Sequence, residues 1–415
     1  MAIKRFERRR WTPGEGAFGG RRSRQRFDYD AFLPDSIADL EPSLPADVAS
    51  VVTEAEVAVR DLNTGAPGLG ALEALSRQLL RAEAVASSRI EGLEMSHRRL
   101  ARAAFDPDEA DASAQYVLGN VRAMEQAIAL GARARTLTIR DIRAIHATLF
   151  RGTPYERHGG ELRSSQNWIG GDDESPRGAD FIPPPEDDVP SLLEDMCTFV
   201  NRDDLPAVAQ AAIAHAQFET IHPFGDGNGR VGRSLIHVVL RRRGLAVNYV
   251  PPVSLILATD QTAYIRGLTT FRTYAPEGLA SWVGTFAQAV RTAGREALGF
   301  AEEVAALQQK LLRRAKIQRR GSAKERLIAA LPAEPVIDVQ RAADIAGVTY
   351  EAARLAVGEL VEADVLHAVS GRKRDRLYEA RDVFDLVDGF ERRLGTPAGS
   401  KRPGRRVPLR RADRG

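Results

Sequence analysis

The chain has 415 residues, of which 43% are hydrophobic and 28% are charged, and it contains a single cysteine, Cys197. This length predicts two or three domains, and one cysteine excludes internal disulfides and cysteine-rich zinc modules. No apolar run approaches the roughly 18 residues that a membrane-spanning helix needs, and the basic N-terminus lacks an apolar signal core. We therefore expect a cytoplasmic protein that has no membrane partner.

The net charge of +3 is distributed unevenly along the chain. Residues 1–27 carry +7 and residues 401–415 carry +6, so the 373 residues between them carry −10. Clustered like charges are typical of disordered segments. We expect two disordered basic arms, at 1–27 and 396–415, which either contact nucleic acid or remain solvated.

Helical periodicity dominates the first part of the acidic body. The helical pattern begins near Asp47, is interrupted at "NTGAPGLG" and resumes through "ALEALSRQLLRAEAVASSRIEG". Near the end of this second piece Ser87 and Glu91 lie about one helical turn apart, and Gly92 ends the helix. From the residues alone, Glu91 is a solvated residue at a helix end.

The helical pattern is broken by two short β-prone pieces, "NWI" and "DFI", which flank a Gly/Asp/Ser-rich turn and are followed by three prolines. This order predicts a β-hairpin or flap on the helical body. The edge of such a flap can bind an extended target segment by strand addition. Trp168, Ile169 and Phe181 are therefore either target-docking residues or the core of the hairpin itself.

The stretch "HPFGDGNGRVGR", residues 222–233, contains the strongest functional signal. The helix before it should end at Ile221, because a residue that precedes proline is disfavoured in the α region. Gly225, Gly227 and Gly229 allow positive φ angles, so the loop can turn its N–H groups inward as an anion-binding nest.

A second helix then follows, and we place Arg230 and Arg233 in its first turn. Each cation at a helix N-terminus costs roughly 0.3–1 kcal/mol unless an anion compensates it. The helix N-terminus, the free amides and the two guanidinium groups together predict a polyphosphate site. Asp226 would hold a divalent cation beside the phosphates. His222, with a reference pKa of about 6.5, would accept a proton.

Near the C-terminus, three helical patterns and a hairpin pattern, "LHAVSGRKRDRLYEA", suggest a winged helix-turn-helix. Thr349 would cap a recognition helix that bears Arg354, and the basic wing "SGRKRDR" would lie over DNA phosphates. Acidic residues on the same helix weaken the case for DNA. Protein contacts or dimer packing are the alternative.

The stretch 222–233 matches every specified position of the Fic-family signature HxFx[D/E]GNGRxxR, so the chain resembles the Fic family. The similarity extends to the flap and to a helical core between about Tyr116 and Arg243. The resemblance implies a mainly α fold, a Fic-type helical bundle with a β-hairpin flap, here joined to a C-terminal winged helix-turn-helix. It also implies transfer of AMP from ATP to a Tyr, Thr or Ser hydroxyl of a target protein, with Mg²⁺ or Mn²⁺.

The resemblance also assigns roles to single residues. It makes His222 the base that deprotonates the target hydroxyl, Phe224 the structural anchor of the loop, and Asp226 the metal ligand. The residues that would bind the nucleotide are Gly225, Gly227, Asn228, Gly229, Arg230 and Arg233.

The piece "SSRIEG" resembles the [S/T]xxxE[G/N] signature of the inhibitory helix of many Fic proteins, and it supplies Ser87, Glu91 and Gly92. In this interpretation Glu91 provides the negative charge that Arg233 otherwise takes from the γ-phosphate of ATP. The enzyme would then inhibit itself.

We predict six parts of the chain: a basic arm at 1–27, a Fic N-terminal domain at 28–115, a catalytic core at 116–250, a helical extension at 251–320, a winged helix-turn-helix at 321–395, and a basic tail at 396–415. A nucleotide-sensing, DNA-binding regulator is the alternative function, as are AMP removal and other phosphate transfer. DNA, bound by the winged helix and basic tails, and a second copy of the chain are further partners that the sequence leaves open.

Overall fold

The computed structural model of the protein describes residues 5–12, 25–65, 69–133, 136–171, 174–317, 319–369 and 376–395. Within these ranges the chain forms fifteen α-helices and five short β-strands. The predicted mainly α fold is therefore confirmed. None of the helices in the same ranges is long and apolar enough to cross a membrane.

Six helices precede the part of the chain that carries the glycine-rich loop. They are α1 Ala46–Gly65, α2 Leu69–Ile90, α3 His97–Phe105, α4 Ala112–Arg133, α5 Ile139–Phe150 and α6 Val189–Val200. The three residues between α1 and α2, 66–68, lie outside the described residues, so the interruption at "NTGAPGLG" stays a prediction. Gly92, just after α2, has a φ of 79°, so a glycine ends this helix as expected.

The helices that position the loop lie in the middle of the protein. They are α7 Ala207–Ile221, α8 Asn228–Arg242, α9 Val253–Leu257, α10 Gln261–Phe271 and the 39-residue α11 Pro276–Arg314. Every residue of α7 is buried, which is expected of a helix surrounded by others. Both α8 and α11 pack against α7, and α4 packs against α8. The α7–α8 loop is therefore held between central helices.

The prediction of a disordered arm over residues 1–27 is wrong for its described part. Phe6–Trp11 is a strand, β1, that pairs antiparallel with β2, Phe27–Phe32. Basic residues of β1 face acidic residues of β2, and Arg10 lies opposite Asp28 with an N–O distance of 2.8 Å. Opposite charges in register stabilise a strand pair. The net charge of residues 1–27 did not reveal this pairing, because the acidic partners lie beyond residue 27.

The predicted β-hairpin is reduced to a single β-bridge between Ile169 and Phe181. The three prolines that follow lack an N–H group and cannot extend the pairing. The ring of Trp168 packs edge-on against Trp11 at 5.4 Å, and Phe181 lies 5.6 Å from Phe32. The β1–β2 ribbon therefore covers part of the flap, and a role of the flap residues in docking a target stays a prediction.

After α11 comes a unit that we call the C-terminal unit. It contains α12 Ala323–Ala330, β3 Val336–Ile337, α13 Val339–Ala346, α14 Tyr350–Glu362, β4 His367–Ala368, β5 Tyr378–Glu379 and α15 Arg381–Gly395. The strands form an antiparallel sheet in the order β3-β5-β4. The predicted helices and hairpin are present as elements, whereas β3 and α15 were not predicted.

Recognition of DNA by this unit stays a prediction. On α14, Arg354 donates to Glu351 at 2.9 Å, so this cation is already paired. The wing residues Arg372, Lys373 and Arg374 and the tail at 396–415 lie outside the described residues. The division into six parts and the formation of a homodimer likewise remain predictions.

Candidate active site

The glycine-rich loop joins α7 to α8 through two residues in the left-handed region. His222 follows the last residue of α7 with φ 50° and ψ 61°, and Gly227 precedes α8 with φ 76°. A Cβ at Gly227 would lie 2.8 Å from side-chain carbons of Leu149 and Phe150. This glycine is therefore required both by its backbone angle and by the space around it.

Phe224 and Asn228 fix the shape of the loop. Phe224 is fully buried, and its ring stacks on His146 with 3.8 Å between ring centres. The side chain of Asn228 accepts from the N–H of Phe224 and donates to its carbonyl, both at 2.8 Å. These two bonds use the Asn228 amide, so its backbone N–H is the group left for a phosphate. His146 belongs to no sequence motif, so its contact with Phe224 could not be predicted from the sequence.

His222 is a largely buried imidazole, with 18% of its side chain exposed. Burial lowers its pKa to about 4, and the guanidinium groups of Arg163 and Arg272 contribute to this. The carbonyl of His222 accepts from Arg163 Nε at 2.9 Å and from Asn167 Nδ2 at 3.3 Å, which holds the residue in place. The imidazole is neutral at pH 7 and can accept a proton.

Two charged residues that the sequence analysis missed flank His222. Glu219 Oε2 lies 3.9 Å from His222 Nδ1, and burial raises the pKa of Glu219 to about 7. Arg272 stacks over the ring of Phe181 at 3.5 Å, and burial lowers its pKa to about 10. The three-residue spacing between Glu219 on α7 and His222 just after it is a signal that could have been used. Arg272 lies fifty residues away and offers none.

Arg230 is buried without enough acceptors. Only 3% of the residue is exposed, and its Nε and Nη1 have no hydrogen-bond partner in the described part of the chain. Its Nη2 lies 3.7 Å from Asp226 Oδ1. A buried donor without an acceptor costs about 1–3 kcal/mol. An anionic group at the mouth of the loop would remove this cost, so the residues fit a phosphate.

Arg233 lies one turn further into α8 than expected. The helix begins at Asn228, so Arg233 belongs to the second turn and not to the first. Its Nη2 donates to Glu91 Oε1 at 2.6 Å and to the carbonyl of Ser87 at 2.8 Å, and its Nε donates to Ser87 Oγ at 2.8 Å. The structure thus brings Ser87 and Glu91 together with Arg233.

The contact between Glu91 and Arg233 is strongly electrostatic. Burial raises the pKa of Glu91, but the Arg233 guanidinium more than offsets this, so the pKa of that carboxyl lies below its usual value. A Cβ at Gly229 would overlap Glu91 Oε1. The Glu91 carboxylate therefore lies directly against the first turn of α8.

A second polar contact joins the same two helices, and the sequence analysis missed it. Glu83 on α2 contacts His237 Nε2 on α8 at 2.9 Å and accepts from Ser254 Oγ at 2.6 Å, and all three residues are fully buried. Glu83 precedes Ser87 by four residues, and His237 follows Arg233 by four, so both contacts lie along one pair of helix faces. The C-terminal part of α2 is thus attached to α8 along two turns.

Asp226 projects from the exposed side of the loop, next to the exposed Gly225. Its side chain is 55% exposed, and its Oδ1 accepts from the N–H of Gly227 at 2.6 Å. Across the described ranges, no group of three or more His, Cys, Asp or Glu side chains could hold a metal ion. A single carboxylate instead fits Mg²⁺ that takes its other ligands from phosphates and water.

Two family descriptions match this chain. The Fic/DOC family matches residues 136–240, and the Fic/DOC family N-terminal region matches residues 49–129. These ranges contain the α7–α8 loop and the segment that bears Glu91, respectively. The two matched ranges therefore contain Arg233 and the two residues that it contacts, Ser87 and Glu91.

The chain is also similar to individual proteins. It is 45% identical over 69 residues to a probable protein adenylyltransferase of Aquifex aeolicus, a match that covers 16% of this chain and 22% of the relative. It is 33% identical over 138 residues to protein adenylyltransferase Fic of Drosophila sechellia, covering 32% of this chain and 26% of the relative. The matches therefore span about a quarter of the relatives' length.

A solved structure has a similar fold. A Fic family protein from Desulfovibrio desulfuricans G20 superposes with a TM-score of 0.51 at 22% identity, covering 82% of this chain and 98% of that protein. Together, the two family matches and the similarity to the relatives show that the chain belongs to the Fic family, and the solved structure shows a similar fold.

Proposed function

We propose that this protein is a self-inhibited protein adenylyltransferase that transfers AMP from ATP to a Tyr, Thr or Ser hydroxyl of a target protein. The observation that carries the proposal is the composition of the α7–α8 loop. A neutral, largely buried imidazole, His222, lies at one end, and buried Arg230 donors without acceptors lie at the other. The similarity to relatives named protein adenylyltransferase supports the class of reaction.

In the proposed reaction the target hydroxyl oxygen attacks the α-phosphorus of ATP while His222 accepts the hydroxyl proton. A bond forms between the target oxygen and the α-phosphorus, the bond from the α-phosphorus to the bridging oxygen breaks, and pyrophosphate leaves. Arg230 and the N–H groups of Asn228 and Gly229 hold the phosphates in line with the attacking oxygen. Such orientation and a positioned base are the main sources of acceleration.

Asp226 is the residue that would hold Mg²⁺ or Mn²⁺ beside the phosphates. Its exposed carboxylate at the mouth of the loop suits a cation shared with a nucleotide. When bound, the cation would neutralise negative charge on the phosphate oxygens.

Inhibition by Glu91 follows from its contact with Arg233. The carboxylate accepts a hydrogen bond from Arg233 Nη2, the donor that a γ-phosphate would use. It also lies against Gly229, where a phosphate would approach α8. A triphosphate and a carboxylate at the same position repel each other. ATP must therefore displace Glu91 or bind with its α-phosphorus poorly oriented for attack, and either outcome makes the enzyme slow.

The target segment would dock along the flap. The flap adjoins the loop, because Asn167, next to Trp168, donates to the carbonyl of His222 at 3.3 Å, and aromatic rings of the β1–β2 ribbon pack against Trp168 and Phe181. An extended segment laid along Ile169 could present its hydroxyl to the imidazole.

A nucleotide sensor is the competing function. A sensor needs phosphate donors but has no need of a base beside them. The presence of His222 beside the phosphate donors therefore favours the enzyme.

Parallel incubation of the purified protein with α-labelled and γ-labelled ATP tests the proposal. The protein itself serves as acceptor, and we call the result self-labelling. We expect label from α-labelled ATP to remain on the protein and label from γ-labelled ATP to be lost with pyrophosphate. Retention of the γ-label alone would instead indicate phosphate transfer, and retention of neither label by any variant would overturn the enzyme assignment.

A further inference from the structure

The C-terminal unit packs against both helices that flank Glu91. Helix α15 contacts α2 and α3, α12 contacts α2, and β3 contacts α3. The segment just after α12 also accepts from α2, where Arg81 donates to the carbonyl of Ala333 at 2.7 Å. The segment that carries Glu91 is therefore held from two sides, by α8 and by the C-terminal unit.

One carboxylate of α15 joins the two ends of the loop that contains Glu91. Glu391 Oε2 accepts from Arg89 Nη2 at 2.8 Å, and Glu391 Oε1 contacts His97 Nε2 at 2.7 Å. Arg89 lies two residues before Glu91 in the last turn of α2, and His97 is the first residue of α3. Glu391 thus spans the turn between α2 and α3.

This contact is more strongly constrained than an exposed ion pair. The Glu391 side chain is 11% exposed and that of His97 is 6% exposed. Burial raises the pKa of Glu391, but His97 and Arg89 hold it at about 2, so the carboxylate is charged at neutral pH. Removing a partner from a buried charge is costly, because the charge is left without compensation. The turn is therefore held in one position.

The position of Glu91 depends on this turn. Glu91 comes directly after Ile90, the last residue of α2, and before Gly92, whose φ is 79°. Its side chain is 37% exposed, so packing around the carboxylate is incomplete. A small displacement of the α2 end would be enough to break the 2.6 Å contact with Arg233.

We propose that Glu391 is a positioning residue that holds Glu91 on Arg233, so that the C-terminal unit maintains the inhibited state. This inference rests on the proposed function, in which Glu91 inhibits AMP transfer. A partner that draws α15 away from α2 and α3 releases Glu91 and activates the enzyme. Binding of a partner to the C-terminal unit would then be transmitted to the active site through Glu91.

The substitution Glu391→Gln in the full chain tests this role, with self-labelling by α-labelled ATP as the readout. The amide keeps the size of the side chain and removes its charge. We expect labelling to rise roughly fivefold or more over wild type, the lower range of coupling between two sites. Arg89→Gln breaks the same contact from its more exposed side, and it should give the same increase. The double variant should not exceed the larger single effect.

Glu303→Gln is the matched control. Glu303 on α11 accepts from Arg393 Nη2 of α15 at 2.6 Å, so this substitution removes an ion pair of the same helix. The pair joins α15 to α11 and not to α2 or α3. Labelling by Glu303→Gln should equal that of wild type. An equal increase in this control would show that any loosening of α15 activates, and it would overturn the specific role of Glu391.

Combination with Glu91→Gly separates the inference from the proposed function. If Glu391 acts through Glu91, Glu391→Gln should add nothing in the Glu91→Gly background. Increased labelling by Glu91→Gly together with unchanged labelling by Glu391→Gln and Arg89→Gln would overturn the inference and leave the proposed function standing. Unchanged labelling by Glu91→Gly would instead overturn the proposed inhibition. Thermal unfolding of each variant identifies misfolding, and if Glu391→Gln misfolds, Arg89→Gln decides alone.

Discussion

The α7–α8 loop and the turn that carries Glu91 differ in where their contacts originate. The turn of the loop is formed by near neighbours, since Asn228 binds Phe224 four residues away and Gly227 sets the start of α8, while distant His146 packs on the ring of Phe224. Glu91 binds a residue 142 positions away, and Arg89 beside it binds one 302 positions away. The comparison indicates that the residues of the proposed reaction are grouped locally, whereas the proposed inhibition depends on distant parts of the chain.

Removal of the proposed base, His222, should give the largest change in self-labelling. It tests the part of the site whose residues lie close together in the sequence. We expect His222→Ala to lower self-labelling by roughly 10²–10⁴-fold, the usual contribution of general-base catalysis. ATP binding should be largely retained, because His222 lies beside the phosphate donors. Calorimetric ATP binding and labelling measure the two quantities. Undiminished labelling would show that another group accepts the proton.

The substitution Asp226→Ala should give the next largest effect. We expect a loss of about 10²-fold or more, because a bound cation stabilises developing charge by several kcal/mol. Titration with Mg²⁺ and Mn²⁺ should no longer stimulate the remaining activity. Continued stimulation by either ion would exclude this carboxylate as the ligand.

Glu91→Gly tests the contact between Glu91 and Arg233, which are far apart in the sequence, and activity should rise. We expect labelling to increase about tenfold or more, since correct orientation of the triphosphate can be worth several kcal/mol. Adding Arg233→Ala should cancel the gain, because the freed guanidinium would no longer hold the γ-phosphate. Labelling of wild type, both single variants and the double variant measures this. Equal labelling in wild type and Glu91→Gly would mean that "SSRIEG" is only the end of a helix.

The smallest expected effect concerns pH. The pKa of His222 is lowered from its ordinary value to about 4, so the base is unprotonated throughout the neutral range and loses activity only as the pH falls towards 4. NMR signals of the His222 ring, assigned by comparison with His222→Ala, should show no protonation between pH 5.5 and 8. Because Glu91 raises the pKa of His222, Glu91→Gly should lower it further. A midpoint near 6.5 would contradict the effect of burial.

The sequence by itself determined the helical class, the end of α7 before Pro223 and the grouping of His222, Asp226 and Arg230 in one short stretch that runs into the first turn of α8. These features depend on backbone preferences and on side chains within a few residues of one another. The same locality explains why the glycine that follows Glu91 was predicted correctly.

Only the tertiary structure decided which groups surround the base and what holds Glu91. Arg272 beside His222, the buried Glu83–His237 contact and the Glu391 link to Arg89 join residues from separate helices, and no spacing along the chain reveals them. The β1 strand was missed for the same reason, because its arginines are stabilised by acidic residues of another strand. Burial then sets the pKa of His222, and burial is a property of the folded protein, not of the motif.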